Sequence, residues 1–325
     1  MSMKIYQGSE SFPVNARPVL TIGNFDGVHL GHQQLLGALV ERAKELDRPA
    51  AVYTFEPAPR RVLQPESCPP RILSIARKLA LLEEIGVQQV ILEAFTLDLG
   101  SKSAAWFADE VIGRRLHPAE MVVGYDFRYG HKRSGDVNTL RAQFPELPVS
   151  AVTPLIGDQE RIVSSSAIRV AVAEGRVAHA GSFLGRPYRL SGTVIPGDKR
   201  GRTLGFATAN LQPEQELIPA LGVYAVLAGV TGQAKVPAVA NLGVRPTFDR
   251  KGVVLEVHLL DSSPDLYGAQ LEVDFVDHLR PEKRFESRQA LQSQIALDIQ
   301  AARRTLDLET PGPKKLGASP STPSA

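Results

Sequence analysis

Short apolar runs alternate with segments of helical periodicity through the first half of the chain. Residues 19–22, 50–55 and 87–94 are continuous apolar, β-prone runs, which is typical of strands buried on both faces. Between them, residues 33–46 and 77–85 repeat apolar side chains at helical spacing, which predicts amphipathic helices. Strands that alternate with helices indicate βαβ units and a parallel sheet. The alternation continues with predicted helices at 103–116 and 136–144 and predicted strands at 121–123 and 149–155.

The pattern changes near Gly185, after which short stretches alternate apolar and polar residues between Gly, Pro and Asp turns. This pattern predicts an antiparallel barrel or sandwich, which an amphipathic helix over 288–306 closes. We therefore predict an α/β domain over 1–185, an antiparallel β domain over 186–307 and a disordered Ser/Pro/Ala-rich tail over 308–325. The predicted strands of the second domain are 189–195, 224–230, 235–241, 253–260 and 269–276.

Composition narrows the class of protein without selecting a function. A chain of 325 residues has room for two cores, and a net charge of +2 gives no electrostatic case for nucleic acid or a membrane. The single Cys68 excludes an intramolecular disulfide framework and a cysteine-based zinc site. We find no signal segment and no apolar run of membrane-spanning length. The expectation is a soluble, cytoplasmic protein, a monomer or weak homo-oligomer, with no nucleic-acid or membrane partner.

Two histidines lie where the first buried strand becomes a helix. His29 and His32 follow the glycine-punctuated turn after residue 22, and Gly31 between them lets a ligand approach the backbone. Free N–H groups and the helix dipole favour a phosphate at such a helix start, and the imidazoles add side-chain donors. The alternative is a glycine-rich turn with two surface histidines. We favour the phosphate site, because the motif lies at a predicted strand–helix junction.

Other polar residues follow the carboxyl ends of the predicted strands, where parallel sheets bind their ligands. His29, Pro57, Asp126 and the segment after residue 155 all have this position. Three serines at 164–166 precede a helical run and provide N-cap residues, and capping alone could explain one of them. Arg169 follows them, so hydroxyl groups and a guanidinium could meet a phosphate at a second helix start.

The second domain contains a loop, residues 197–205, that is rich in glycine and cations. Its backbone N–H groups, with Lys199, Arg200 and Arg202, could cover phosphates, although a solvated basic hairpin loop is the alternative. Thr208 and Asn210 follow and point to the same side of an extended segment. Their oxygens suit Mg²⁺, although an ordinary turn explains them equally well.

Glu256 lies on a strand that alternates strictly between apolar and polar residues. Leu255 and Val257 take the core face, so Glu256 and His258 share the opposite face. A carboxylate in this position usually faces solvent. If this face lines the mouth of a barrel beside Thr208, Glu256 becomes a candidate base that deprotonates a hydroxyl group attacking ATP.

In this order, the motifs resemble those of the bacterial bifunctional riboflavin kinase/FAD synthetase family over about residues 15–305. The resemblance implies a Rossmann-like nucleotidyltransferase domain followed by an antiparallel β-barrel riboflavin kinase domain with a C-terminal helix. The motifs of the first half are 23–32 (GNFDGVHLGH), 124–130 (GYDFRYG), 133–136 (RSGD) and 163–169 (VSSSAIR). Those of the second half are 201–202, 205–210 (GFATAN), 222–224 (GVY), 243–248 (GVRPTF), 256–261 (EVHLLD) and 279–280 (LR).

The resemblance implies two ATP-dependent reactions on small-molecule substrates. The second half would phosphorylate riboflavin to FMN, and the first half would join FMN to the adenylyl group of ATP, giving FAD and pyrophosphate. In the first half, His29 and His32 would stabilise the ATP phosphates as catalytic groups. The ATP side there would comprise Gly23, Asn24, His29, Gly31, His32, Ser165, Ser166 and Arg169, and the flavin side Asp126, Phe127 and Pro57.

In the kinase half, the resemblance makes Glu256 the base. Thr208 and Asn210 would hold Mg²⁺ and the nucleotide, and Arg280 and Phe285 would flank the flavin. The ATP-phosphate residues there would be Gly197, Lys199, Gly201, Arg202, Gly205, Thr208 and Asn210.

Two positions depart from the family pattern. Ala58 replaces a histidine that often follows the second strand, and Ala207 replaces the proline of the Pro-Thr-Ala-Asn motif. Neither change removes a proposed catalytic atom. We therefore expect the two changes to affect catalytic efficiency more than the kind of reaction.

Two other functions stay open at the sequence level. In the first, the adenylyltransferase is retained and the second domain is a flavin-binding sensor without kinase activity. In the second, the chain is an RNA-linked protein, because His-x-Gly-His also resembles the signature of one aminoacyl-tRNA synthetase class. The net charge of +2 and the lack of a basic face with interleaved aromatic residues argue against the RNA reading.

Overall fold

The computed structural model describes residues 2–156, 162–195, 208–246, 251–261 and 266–307. The chain forms two compact units, each of which is made of three separate segments of the sequence. The first unit comprises Met1–Glu174, His179–Pro187 and Gln215–Ile218, and the second comprises Gly175–Ala178, Tyr188–Glu214 and Pro219–Ala325. The predicted boundary at residue 185 stays a prediction. The predicted tail and the loop with Gly197, Lys199, Gly201, Arg202, Gly205 and Ala207 lie outside the described residues.

The first unit is built on a six-stranded sheet in the order β1-β4-β3-β2-β5-β6. Every neighbouring pair is parallel, which confirms the predicted α/β class. The strand order reverses between the adjacent central strands β2 and β5. The topological switch point of the sheet therefore lies at the carboxyl ends of these two strands. The strands are β1 (Lys4–Gln7), β2 (Val19–Ile22), β3 (Ala50–Phe55), β4 (Gln89–Glu93), β5 (Glu120–Gly124) and β6 (Val149–Val152).

Helices cover both faces of this sheet. Leu36 and Leu39 of α1 and Leu82 of α3 pack on one face, and Phe107 and Val111 pack on the other. Because both faces are buried, the strands read as continuous apolar runs in the sequence. The helices up to residue 184 are α1 (Leu30–Glu45), α2 (Pro59–Leu63), α3 (Ile75–Ile85), α4 (Leu97–Ser101), α5 (Ala104–Trp106) with its π-helical continuation Phe107–Leu116, α6 (Val137–Gln143), α7 (Ser165–Ala173) and α8 (Val177–Leu184).

Side-chain caps fix where these helices begin. The hydroxyl of Ser74 accepts a hydrogen bond from the N–H of Arg77 at the start of α3, and Gly86 ends that helix with a φ of 104°. Asp136 and Thr139 form a reciprocal capping box at the start of α6. Each cap satisfies backbone groups that a helix end leaves unpaired, so the polar residues before each apolar repeat set the helix start.

The second unit is a closed antiparallel barrel in the order β10-β11-β8-β7-β12-β9, with β9 pairing back to β10. This closure confirms the barrel rather than the sandwich. Helix α9 (Arg288–Thr305) begins at the N-cap Ser287 and packs Ala302 against Val223, Ala225 and Val239. The strands are β7 (Tyr188–Ile195), β8 (Ala209–Leu211), β9 (Gly222–Val230), β10 (Val236–Pro246), β11 (Lys251–Leu259) and β12 (Gln270–Pro281).

A buried ion pair joins β12 to α9. The Arg280 guanidinium donates to both carboxylate oxygens of Asp298 at 2.8–3.1 Å, and Gln294 donates to the same carboxylate at 2.9 Å. Asp298 is 5% exposed, so loss of its charge would leave the guanidinium without its buried partner.

We expect Asp298→Asn to lower the free energy of unfolding of the barrel by about 3 kcal/mol, because a buried charge loses its counter-charge. Urea unfolding followed by far-UV circular dichroism measures this change. The matched control is Asp261→Asn, since Asp261 pairs with Arg303 through a carboxylate whose side chain is 65% exposed. That control should cost less than about 1 kcal/mol, and equal losses in the two variants would contradict the assignment.

Candidate active sites

A cavity of about 340 Å³ opens at the carboxyl ends of β2, β5 and β6 in the first unit. This is the switch point of the sheet, where open α/β folds bind their ligands. The cavity brings together most of the first-half residues that the sequence singled out. These are Gly23, Asn24, His29, Gly31, His32, Asp126, Phe127 and Ser165.

Three predicted residues do not line this cavity, and their ligand contacts stay predictions. Pro57 lies between β3 and α2, and Ser166 lies in the first turn of α7. Arg169 pairs with Asp26 at 2.5 Å and donates to the carbonyl of Pro70 at 2.8 Å. Its guanidinium therefore joins the loop that contains Asp26 to the segment that contains Pro70.

His29 caps the helix that carries His32. Its Nδ1 accepts a hydrogen bond from the N–H of His32 at 3.2 Å, and the two rings stack with centroids 3.6 Å apart. Because Nδ1 is an acceptor, neutral His29 carries its proton on Nε2. Gly31 is needed beside this stack, since a Cβ there would lie 3.3 Å from Nδ1 of His29.

Both imidazoles are neutral at physiological pH. Burial and the nearby Arg186 guanidinium lower the pKa of His29 to about 4. Burial, with electrostatic coupling to the adjacent His29 and to Lys78, lowers the pKa of His32 well below its usual range. Nδ1 of His32 is buried and has no hydrogen-bond partner among the described residues. The pair therefore presents neutral hydrogen-bonding groups that an anionic ligand can complete.

The β2–α1 loop, residues 23–29, is held by side chains that bind its carbonyl groups. The carbonyl of Asn24 faces Nζ of Lys78 at 3.3 Å and the hydroxyl of Thr54 at 3.4 Å. The other contacts are Ser165 Oγ to Asp26 O at 2.8 Å, Arg186 Nη2 to Gly27 O at 2.6 Å, and Arg186 Nη1 and Gln33 Nε2 to Val28 O at 3.0 and 2.9 Å.

The conformation of this loop is otherwise unfavourable. Phe25 and Val28 have φ values of 51° and 39°, which non-glycine residues rarely adopt. Both side chains are buried, so packing and the carbonyl contacts together compensate for the backbone strain.

Asp26 is a functional candidate that the sequence analysis missed. Its carboxylate accepts the N–H of Ile72 at 3.1 Å and of Leu73 at 3.4 Å, in addition to the Arg169 guanidinium. Its position inside the motif GNFDGVHLGH was the available signal, but its partners are 46 or more residues away in the chain. It fixes the loop by binding three groups from other parts of the unit.

In the barrel, Glu256 stands in register between two asparagines. It pairs with Asn210 of β8 on one side and with Asn241 of β10 on the other. Leu255 and Val257, its chain neighbours, are buried in the core, which confirms that Glu256 lies on the opposite face. Asn241 was not singled out from the sequence, because only the strand register shows its position opposite Glu256.

Asn210 provides a test of the expected cation site. Its Oδ1 is buried and has no hydrogen-bond partner among the described residues. A buried amide oxygen left without a donor is the type of ligand that Mg²⁺ accepts, and half-buried Thr208 comes two residues earlier. The described part of the chain contains no cluster of three or more His, Cys, Asp or Glu residues that could hold a metal.

Arg280 and Phe285, which the resemblance assigns to the flavin side of the kinase, lie close to each other, and their contact with a flavin stays a prediction. The Arg280 guanidinium carbon lies 5.7 Å from the centroid of the Phe285 ring. The ion pair with Asp298 and a hydrogen bond from Nη1 to the carbonyl of Pro281 hold that guanidinium in place.

Comparison with known proteins agrees with this two-part arrangement. A family model described as FAD synthetase matches residues 12–167, and one described as riboflavin kinase matches residues 184–306. Together with the switch-point cavity and the closed barrel, these matches define a two-module nucleotide-dependent transferase.

Curated relatives match nearly the whole chain. A bifunctional riboflavin kinase/FMN adenylyltransferase of Pseudomonas fluorescens is 44% identical over 89% of this chain and 94% of its own length. The protein of that name from Escherichia coli strain K12 is 39% identical over 90% of this chain and 94% of its own length. The chain belongs to the bifunctional riboflavin kinase/FMN adenylyltransferase family. It is an enzyme that forms FMN from riboflavin and FAD from FMN, with an N-terminal FAD synthetase module and a C-terminal kinase module.

A solved structure has the same fold. The crystal structure of a protein described as a macrolide-efflux protein from Streptococcus pneumoniae has a TM-score of 0.85 and 31% identity, covering 93% of this chain and 99% of that one. Among the residues described for the present chain, no helix is both long enough and apolar enough to span a bilayer.

The buried histidines make the first unit sensitive to acid. His29 has a folded pKa of about 4 against an ordinary value of 6.5, so the unfolded chain binds its proton first as the pH falls. The contribution of neutral His29 to the free energy of unfolding is therefore fully present above pH 6.5. It is lost between pH 6.5 and 4, which lowers the free energy of unfolding by about 3 kcal/mol.

His29→Asn keeps a side chain that caps helices well. It should reduce the pH dependence of the free energy of unfolding by the equivalent of about one bound proton. Urea unfolding at several pH values, followed by tryptophan fluorescence, measures the effect, because the sole tryptophan, Trp106, lies in the first unit. The control is His117→Asn, which removes an exposed histidine of the same unit and shows the effect of a histidine-to-asparagine change outside the buried pair. An unaltered slope in His29→Asn would contradict the burial of a neutral His29.

Proposed function

We propose that the switch-point cavity of the first unit carries the FMN adenylyltransferase reaction. An oxygen of the FMN phosphate forms a bond to the α-phosphorus of ATP, the bond from that phosphorus to its bridging oxygen breaks, and pyrophosphate leaves. The reaction needs no protein nucleophile, so the protein aligns the two phosphates and stabilises the negative charge that develops. The neutral His29–His32 pair at the start of α1 is the observation that carries this proposal.

His29 can donate from Nε2 to a phosphate oxygen, because its Nδ1 is already occupied by the N–H of His32. Gly23, Asn24, Gly31, His32 and Ser165 border the same cavity and complete the proposed ATP side. On the opposite side, Asp126 and Phe127 follow β5 and form the proposed flavin side. Ser166, Arg169 and Pro57 belong to the proposed site by family position alone.

We propose that the polar row Asn241–Glu256–Asn210 on the outer face of the barrel carries the kinase reaction. The riboflavin 5′-hydroxyl oxygen forms a bond to the γ-phosphorus of ATP, and the hydroxyl proton passes to Glu256. The bond from that phosphorus to its bridging oxygen breaks, and ADP leaves. The register that sets Glu256 beside Asn210 supports this assignment.

Thr208 and Asn210 are the proposed ligands of Mg²⁺, which when bound neutralises charge on the ATP phosphates. The unsatisfied amide oxygen of Asn210 supports this choice. Arg280 and Phe285 form the proposed flavin contacts of the kinase, and residues 197–205 the proposed phosphate loop. The cytoplasmic location and the monomeric or weakly associated state stay predictions.

A product assay separates the two proposed sites. Purified protein is incubated with ATP and Mg²⁺, from riboflavin in one set of tubes and from FMN in another, and products are followed by chromatography. We expect FMN and then FAD from riboflavin. Glu256→Gln should reduce FMN formation by about 10²-fold or more while leaving the conversion of FMN to FAD unchanged.

His29→Asn should give the converse result, with FAD formation reduced by about 10²-fold and FMN formation intact. His258→Gln, on the same face of β11 as Glu256, is the matched control for the kinase variant. FMN formation that survives Glu256→Gln would overturn its role as base. FAD formation that survives His29→Asn would overturn the proposed adenylyltransferase site.

A further inference from the structure

Lys78 is a buried cation that neither proposed reaction uses. It lies on the core-facing side of α3 with Leu81 and Leu82, and it is 8% exposed. Apolar residues at these helical spacings pack the sheet, so a leucine or methionine would satisfy packing at this position. Lysine is almost never buried to this extent unless its charge has a partner.

The partners of Lys78 are neutral oxygens beneath the nucleotide cavity. Its Nζ lies 3.3 Å from the carbonyl of Asn24 and 3.2 Å from the hydroxyl of Thr54. No carboxylate forms an ion pair with it within the part of the chain that the structure describes. Burial lowers the pKa of Lys78, and the charges of Glu56 and Asp26 oppose that shift. The direct contacts of the Lys78 amine are therefore two uncharged oxygens and no carboxylate.

The contact with Asn24 orients a peptide group of the β2–α1 loop. In a trans peptide the C=O and the N–H point in opposite directions, so turning the Asn24 carbonyl towards Lys78 turns the N–H of Phe25 away from it. Asn24 and Phe25 both line the cavity. Among the described residues, the N–H of Phe25 donates to no acceptor. An N–H group of the cavity lining that lacks an acceptor is a donor that a phosphate could use.

We propose that Lys78 is a positioning residue for the adenylyltransferase site: its ammonium group orients the Asn24–Phe25 peptide and adds positive charge behind the bound ATP phosphates. This inference rests on the proposed function of the cavity. It accounts for a lysine in the apolar stripe of α3, and it assigns to α3 a part in nucleotide binding although Lys78 does not line the cavity.

The test uses the full-length enzyme and compares Lys78→Met, Lys78→Gln and the control Lys44→Met, which removes an exposed lysine at the end of α1. For each protein, KM for ATP, KM for FMN and kcat of FAD formation are measured. The rate of FMN formation by the kinase half and the thermal unfolding of the first unit, from Trp106 fluorescence, are measured on the same samples.

We expect Lys78→Met to raise KM for ATP by about tenfold, the effect of losing one charge-assisted contact, with KM for FMN within about twofold. Lys78→Gln can still donate to the Asn24 carbonyl but lacks the charge, so its KM for ATP should lie between those of the parent and Lys78→Met. Thermal stability should change little in Lys78→Met, because removal of a buried charge offsets the lost contacts to the Asn24 carbonyl and the Thr54 hydroxyl. Lys44→Met should leave every parameter unchanged.

An unchanged KM for ATP in a folded Lys78→Met protein would overturn the inference. A decrease in thermal stability together with similar increases in KM for ATP and KM for FMN would also overturn the inference, in favour of a structural role for Lys78. If Lys78→Met does not fold, Lys78→Gln decides the question. A higher KM for ATP with an unchanged KM for FMN supports the inference, and an unchanged KM for ATP overturns it. If His29→Asn leaves FAD formation intact, the proposed function of the cavity has failed; if it abolishes FAD formation while Lys78→Met has no effect, only the present inference has failed.

Discussion

The architecture of the first active site depends on where the carbonyl groups of one short loop point. Between β2 and α1, the carbonyls of Asn24, Asp26, Gly27 and Val28 all accept hydrogen bonds from side chains on other elements. Because C=O and N–H oppose one another in each peptide, this arrangement leaves N–H groups for the cavity. The donors come from segments up to 159 residues away in the chain, so the loop takes this shape only once the whole unit has folded.

The same burial that holds the loop also sets the charge of the site. His29 and His32 are removed from water and lie near Arg186 and Lys78, so the pKa of each ring is lowered and both rings stay neutral at a pH where an exposed histidine is already protonated. The nearby Arg186 and Lys78 side chains donate to backbone carbonyls of the loop, while the two imidazoles are neutral hydrogen-bonding groups.

The sequence predicted the parts of the fold that a local pattern encodes. β3 matches its apolar run residue for residue, and Gly86 ends α3 as its position indicates. β1 and β8 were missed, since β1 is short and largely exposed and β8 has only three residues that are defined by pairing. In the site, His29 and His32 follow from a local motif, whereas Asp26, Lys78 and Asn241 acquire their positions from tertiary contacts or strand register. No periodicity in the sequence reports such contacts.

Hydrogen exchange of the loop amides tests the central claim most directly. Among the described residues, the N–H groups of residues 25–27 donate no hydrogen bond. The account predicts that these amides exchange rapidly in the free enzyme and slowly when α,β-methylene ATP is bound, since phosphate oxygens become their acceptors. Slow exchange of these amides without nucleotide, or no added protection with nucleotide bound, would contradict the claim that this loop is the phosphate site.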